Sequence, residues 1–134
     1  MIRVVILGSG RVGSSLAGEM AKLGHRIILV DQDTSKFKNL DENDRIERLT
    51  GNIFDDEVAS AAFSKGVDVF IVVTGKDNVN LMAAQAMQQK YKIPRVLVRV
   101  FDPVLSDVYE GLGLETICPT KYAIEVMLKK LQSQ

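Results

Sequence analysis

The sequence predicts an α/β fold built on a doubly wound, parallel six-stranded sheet, and three observations carry that prediction. Short apolar runs at 2–7, 26–30, 67–73, 96–100 and 114–118, with a weaker, polar strand pattern at 45–49, alternate with longer helical patterns. Gly8-Ser9-Gly10-Arg11-Val12-Gly13 follows the first run at once and opens a helix. The second run ends on an acid, Asp31. Strand, G-x-G-x-x-G, helix, strand and acid together make the dinucleotide-binding fingerprint in its required context. The expected fold is therefore Rossmann-type, with strand order 3-2-1-4-5-6 and one domain over residues 1–134.

Each residue type in the fingerprint has a physical task. Gly8 lets the chain turn off the strand, Gly10 leaves room for a diphosphate, and Gly13 brings the helix close to the sheet. The helix start offers N–H groups and a partial positive charge to phosphates. Asp31 is placed to accept hydrogen bonds from ribose hydroxyls. Its charge favours NAD-type or adenosine ligands over a 2′-phosphate.

Bulk properties narrow the function classes. Hydrophobic residues are 46% and charged residues 25%, the balance of a chain that buries a core. The 17 basic and 17 acidic side chains cancel, so nothing supports nucleic-acid binding by bulk charge. The one cysteine, Cys118, rules out an internal disulfide framework and fits a reducing compartment. No apolar run is long enough for a membrane span, and a strand begins too early for a signal peptide. A soluble cytoplasmic domain is expected.

Along the first half, Val12, Leu16, Met20 and Leu23 are spaced as one helical face, and Gly24 ends the helix. His25 reads as a surface turn residue. Asp31-Gln32-Asp33-Thr34 caps a short polar helix through Leu40, and 41–45 reads as an exposed link. The polar third strand belongs at a sheet edge, where its charges protect against pairing. Asn52 lies at the ligand end of that strand, either to face an adenine or to form a turn. Asp55 is an expected N-cap for a helix carrying Val58, Ala62 and Phe63, which stops at Lys65-Gly66.

The fourth strand is the most apolar and belongs in the sheet centre. Its end, Thr74-Gly75, borders the crevice at the topological switch point. Thr74 is positioned to cap the next helix, with Asp77 three residues on. Asn78 and Asn80 either reach the ligand or solvate the helix start. In that helix Val79, Met82, Ala83 and Ala86 form one face, which Leu81, Ala84 and Met87 widen beyond the needs of one sheet contact, so a second subunit is expected there. Arg99 breaks an apolar strand near the ligand edge, where an anionic ligand or a neighbouring acid is its natural partner. Asp102-Pro103 starts a helix with Leu105, Val108, Tyr109 and Leu112 as its core face and Gly111 and Gly113 at its stop. Cys118 is a core residue. Pro119-Thr120 opens the last helix, where Ile124, Met127, Leu128 and Leu131 form one stripe and Tyr122 and Val126 another, the mark of an intersubunit contact.

No Ser-His-Asp, Cys-His or metal-ligand pattern is visible, which favours a nucleotide sensor over an enzyme. The alternatives are a minimal NAD-dependent oxidoreductase with its site at a dimer interface and a nucleotide-dependent interaction module with another partner.

The motifs resemble one family in detail. Gly8-Ser9-Gly10-Arg11-Val12-Gly13-Ser14-Ser15-Leu16-Ala17 is similar to the G-x-G-R-x-G-x-x-L-A signature of TrkA-N, or RCK, domains. Val30-Asp31-Gln32-Asp33 resembles the family's V-I-D-x-D, and Gly51-Asn52-Ile53-Phe54-Asp55 its G-D-A-T-D. Thr74 to Asn80 resembles T-x-x-D-x-x-N, Val98-Arg99-Val100 resembles A-R-V, and Ile117-Cys118-Pro119 resembles V-I-x-P. The resemblance implies a cytosolic regulatory subunit of a potassium uptake system or channel, at the inner face of the membrane through its transporter partner. It implies binding of NAD(H) or of ATP, ADP or AMP, assembly as dimers within larger rings, and gating by ligand exchange. The implied nucleotide-binding residues are Gly8, Ser9, Gly10, Arg11, Val12, Gly13, Asp31, Gln32, Asn52, Ile53, Thr74, Gly75, Asn78 and Arg99, with Arg11 and Arg99 reaching phosphates. No metal ligand and no catalytic residue is expected. Asn52 departs from the motif's Asp, and Thr120 from the Glu of some ATP-binding members. The family's common second regulatory domain is not expected within this sequence, whether because the protein has one domain, because a partner supplies that half, or because the chain was trimmed.

Overall fold

The computed structural model describes residues 1–40 and 42–133. Six strands form one sheet: β1 (Arg3–Leu7), β2 (Arg26–Asp31), β3 (Ile46–Thr50), β4 (Val69–Val72), β5 (Arg95–Arg99) and β6 (Glu115–Ile117). Their order is β3-β2-β1-β4-β5-β6, and every neighbouring pair is parallel, as the sequence predicts. The helices are α1 (Arg11–Lys22), α2 (Asp56–Phe63), α3 (Asp77–Tyr91), α4 (Pro103–Gly111) and α5 (Pro119–Gln132), with a 3-10 segment at Thr34–Asn39. Among the described residues no helix is long and apolar enough to cross a membrane.

The sheet separates two apolar clusters. On one face Val5, Leu7, Phe70, Val72, Val96 and Val98 pack with residues of α2 and α3. On the other, Val4, Ile6, Ile27, Leu29 and Ile71 pack with Ala17 and Ala21 of α1 and Phe37 of the 3-10 segment. The strands β1 and β4 sit between two layers, so their runs are nearly all apolar, whereas β5 buries Val96 and Val98 on one face and leaves Arg95, Leu97 and Arg99 on the other incompletely covered. The strand β3 is a polar edge, with Glu47 and Arg48 exposed.

Small residues set the seat of α1. Its buried residues are Gly13, Ala17 and Ala21, a four-residue spacing that lets the helix lie close on the sheet. The expected face of Val12, Leu16, Met20 and Leu23 is therefore only flanking: Val12 is 48% and Leu23 75% exposed. The helix ends as expected. Gly24 takes φ +92°, and the N–H groups of Gly24 and His25 donate to Ala21 O at 3.0 Å and Met20 O at 3.1 Å. His25 also has a fixed role, since its Nδ1 accepts the Ile2 N–H. The 3-10 segment is capped by Asp33, whose carboxylate accepts from Ser35 N. Residues 42–45 of the expected link are exposed, and Asp41 lies outside the described residues. Asp55 occupies the N-cap position of α2 without making a side-chain capping bond.

The second half departs more. In α3 the wide apolar face is largely consumed by the chain's own core: Leu81, Ala83, Ala84 and Met87 are buried, and Met82 points out. The helix α4 starts as predicted, with Asp102 Oδ1 accepting from Val104 N and Pro103 in the first turn. Its expected core face is not buried. Leu105 and Val108 are exposed, and Leu112 is 71% exposed, while Tyr109 packs in part and the one buried residue is Ser106. The reason is β6, only three residues long, which offers α4 little sheet to cover. Ser106 instead shares a hydrogen bond with Thr116 at 2.8 Å. Cys118 is buried as expected. None of the residues of α5 is buried, so both of its apolar strips face outward.

Candidate functional site

The C-terminal ends of β1 to β5 and the turns that follow enclose a cleft of about 560 Å³. It sits at the switch point between β1 and β4, where open α/β sheets bind ligands. Of the residues singled out from the sequence, Gly8, Gly10, Asp31, Gln32, Asn52, Ile53, Thr74, Gly75 and Arg99 line it. Ser9 and Arg11, with Gly10, line an adjoining cavity of about 700 Å³ along α1. That cavity is larger, but the cleft holds the strand ends and Arg99. Gly13 is buried beneath the loop. Val12 and Asn78 are exposed and line neither cavity.

The glycines are explained by contacts. Gly8 adopts φ +111°, and a Cβ there would lie 2.8 Å from Val73 O. A Cβ on Gly13 would lie 1.8 Å from Gly8 O. A Cβ on Gly10 would meet nothing within 4 Å, so this face of the loop is open to an incoming group. Gly10 is also the N-cap of α1 and brings no side chain to its first-turn N–H groups.

Asp31 faces the loop from β2. One of its oxygens accepts both the Ser9 N–H and the Ser9 hydroxyl at 2.9 Å, and the other accepts the Asp33 N–H at 2.9 Å. Burial works to raise its pKa, but the bonds from Asp33 and Ser9 and the charge of Lys36 outweigh it, leaving the carboxyl below its ordinary value. The group is ionised at neutral pH. A carboxylate offers about four acceptor positions, so one remains for a ribose hydroxyl. Asp31 therefore both fastens the glycine loop and faces the ligand space. We expect Asp31→Ala to weaken nucleotide binding by about 1–3 kcal/mol, read by calorimetric titration. Unchanged affinity would remove Asp31 from the ribose role.

Asn52 takes the turn-forming alternative while still lining the cleft: its Oδ1 accepts the Phe54 N–H at 2.9 Å, so its amide NH2 is what it can offer a ligand. Thr74 does not cap α3, whose N-cap is Lys76. Its hydroxyl bonds Asn80 instead. Asn80 is fully buried and joins two strand ends. Its Oδ1 accepts the Thr74 N–H at 3.1 Å, and its Nδ2 donates to Thr74 O at 3.0 Å and Arg99 O at 2.9 Å. It is neither a ligand contact nor a solvating residue, but the brace behind the cleft.

Arg99 faces no carboxylate at bonding distance. Its Nη2 donates to Val73 O at 2.7 Å and Thr74 O at 3.1 Å, and its guanidinium lies 4.7 Å from the Phe101 ring centre. Among the described residues it makes no ion pair, and its buried Nε has no hydrogen-bond partner. Burial lowers its pKa and the charge of Asp77 partly restores it. A guanidinium stays charged even so. The guanidinium thus lines the cleft without an ion pair among the described residues, although a buried charge is costly without one.

Among the lining residues that the sequence reading did not single out, three bring a charge or a ring to the cleft. Lys36 sits near Asp31, Phe54 is an exposed aromatic on the cleft wall, and Lys76 closes the β4 side. Phe54 was the legible one, as an aromatic inside an otherwise polar turn.

Fold and cleft together define a Rossmann-type domain with a glycine-rich crevice at its switch point, lined by Arg99. The TrkA-N domain family matches residues 4–119, and the chain belongs to that family. It is 32% identical over 130 residues to a Streptomyces coelicolor protein named Trk system potassium uptake protein TrkA, covering 97% of this chain and 58% of that one. The chain thus spans a little over half of that relative's length. Among solved structures, the TrkA-N domain of the inner membrane protein ybaL from Escherichia coli superposes with a TM-score of 0.84 at 15% identity, over 98% of both chains. A structure described as GsuK bound to ADP gives 0.79 at 18% identity, over 98% of this chain and 34% of that one. These likenesses show the fold.

Proposed function

We propose that this chain binds an adenine nucleotide, NAD(H) or one of ATP, ADP and AMP, and regulates a potassium transporter or channel through a ligand-dependent change of shape. The observation that carries the reading is Arg99: a guanidinium without an ion pair among the described residues lines the same cleft as Gly10, whose Cβ side is open, and ionised Asp31. Phosphates fit the first two, and a ribose fits the third. The names of the curated relatives supply the potassium connection. Regulation then requires the nucleotide to bind one conformation better than another, because equal affinity shifts nothing. The reading is regulatory rather than catalytic, and places the protein on the cytoplasmic side beside its membrane partner.

Assembly as a homo-oligomer belongs to the same proposal. Tyr122, Ile124, Val126, Met127, Leu128 and Leu131 of α5 are all exposed, too large an apolar surface for a helix to leave in water. Register places Ile117 of β6 beside Arg99 on one sheet face, and Leu97 of β5 beside Ile71. Ile117 and Leu97 are only partly covered there, which gives a second copy an apolar shelf. Truncation after Thr120 is expected to give folded monomers, checked by light scattering. A dimer surviving that truncation would exclude α5 from the interface.

Calorimetric titration with NADH, NAD, ATP, ADP, AMP and NADPH tests the central reading. Binding of an adenine nucleotide without turnover supports it. Binding of none, or oxidation of NADH with a small carbonyl compound, would replace it.

A further inference from the structure

Asp77 is the first residue of α3, and its side chain leaves that helix altogether. One carboxylate oxygen accepts the Phe101 N–H at 2.7 Å and the other accepts the Asp102 N–H at 3.0 Å. With Val100 these two residues make the connection between β5 and α4, and Asp102 is the N-cap of α4. Bonds from N–H groups to a carboxylate are among the stronger ones available. The other contacts of α4 are few: Ser106 is its one buried residue and bonds Thr116, Tyr109 packs in part, and Asp107 pairs with Lys121.

The same connection touches the cleft from the other side. Arg99 lies over the Phe101 ring, and Asp77 is the acid whose charge acts on Arg99. Asp77 thus bonds the connection and also acts as the resident counter-charge of the cation that receives the ligand. Beyond α4, Asp107 pairs with Lys121, the first-turn lysine of α5. The contacts therefore run from Arg99 through Asp77 and the connection 101–102 to α4, and from there to the uncovered helix α5.

We infer that Asp77 is a positioning residue, a latch on the β5–α4 connection that is released when an anion occupies Arg99. The inference rests on the nucleotide reading above and adds to it the residue through which occupancy is passed on. An anion arriving at the cleft side of the guanidinium draws it toward the cleft and away from Phe101, and frees the buried Nε to turn toward that anion. It also brings negative charge toward Asp77, and like charges in a partly desolvated site repel strongly. Both effects weaken the hold of Asp77 on the two N–H groups. Behind it Asn80, fully buried and bonded to both strand ends, keeps the cleft wall in place. The connection moves and the wall does not.

Hydrogen exchange at single amides of the 134-residue chain, with and without saturating ADP and then NADH, tests the latch. The expected result is exchange at Phe101 and Asp102 about tenfold faster or more in the bound form, with the Thr74 amide unchanged. Unchanged or slower exchange at Phe101 and Asp102 overturns the latch and leaves the nucleotide reading intact. Failure of the native chain to bind any of ADP, NADH, NAD, ATP and AMP overturns both. In Asp77→Asn, nucleotide still binds, the two amides exchange fast in either state, and nucleotide no longer alters the dimer dissociation constant. In the native chain that alteration is expected to be about 5–150-fold. An Asp77→Asn protein that kept the native dependence would refute the latch. The exchange measurement needs no variant, so it decides the matter even if Asp77→Asn fails to fold.

Discussion

Gly13→Ala is expected to destabilise the fold by about 3 kcal/mol or more, measured as a fall in the urea midpoint. The added methyl would stand 1.8 Å from Gly8 O and 2.9 Å from Gly8 C. Both are backbone atoms, so no rotamer change can relieve the clash. Either α1 rises off the sheet, uncovering Ala17 and Ala21, or the glycine loop moves and Gly8, already at φ +111°, loses its geometry. An ordinary stability for this variant would mean that α1 does not need its close seat.

Gly10→Val has the opposite profile. Nothing lies within 4 Å of the position its Cβ would take, and the backbone there is extended at φ −68° and ψ −162°, which valine accepts. Stability should fall only by about 1 kcal/mol, the cost of a poor N-cap. Nucleotide affinity should fall at least about a hundredfold, close to 3 kcal/mol, because the side chain fills the space a diphosphate needs. Calorimetry on the folded variant reads this directly, and native affinity would show that phosphates do not lie against Gly10. The two glycines are three residues apart, and one serves the fold while the other serves the ligand space.

The contrast shows what a sequence reveals and what it conceals. Strand order was legible because apolar runs and turn glycines alternate without ambiguity. So was the switch-point cleft, because the fingerprint places it. Arg99 stood out because a charge inside an apolar strand has to be explained. In the seat of α1, Gly13 was legible from the fingerprint, while Ala17 and Ala21 were hidden, because alanine carries little hydrophobic signal and the larger residues beside it carry much. Leu105, Val108 and Leu112 have the spacing of a core face, yet whether such a face is buried depends on the width of the sheet beneath it, and β6 is too short. Asn80, like Asn78, read either as a ligand contact or as a residue solvating the helix start. Only the fold shows that one turn of helix aims it at two strand ends.

The brace at Asn80 has one more consequence. Its amide presents an oxygen to donors of Thr74 and an NH2 group to two backbone carbonyls. Aspartate is isosteric with it, yet would set a carboxylate oxygen against both carbonyls, and leucine would leave every one of these partners unsatisfied. Size is therefore no guide to what this position tolerates. A wall pinned this way is already ordered before any ligand arrives. Binding on the β4–β5 side then loses little conformational freedom, and more of the interaction remains as affinity.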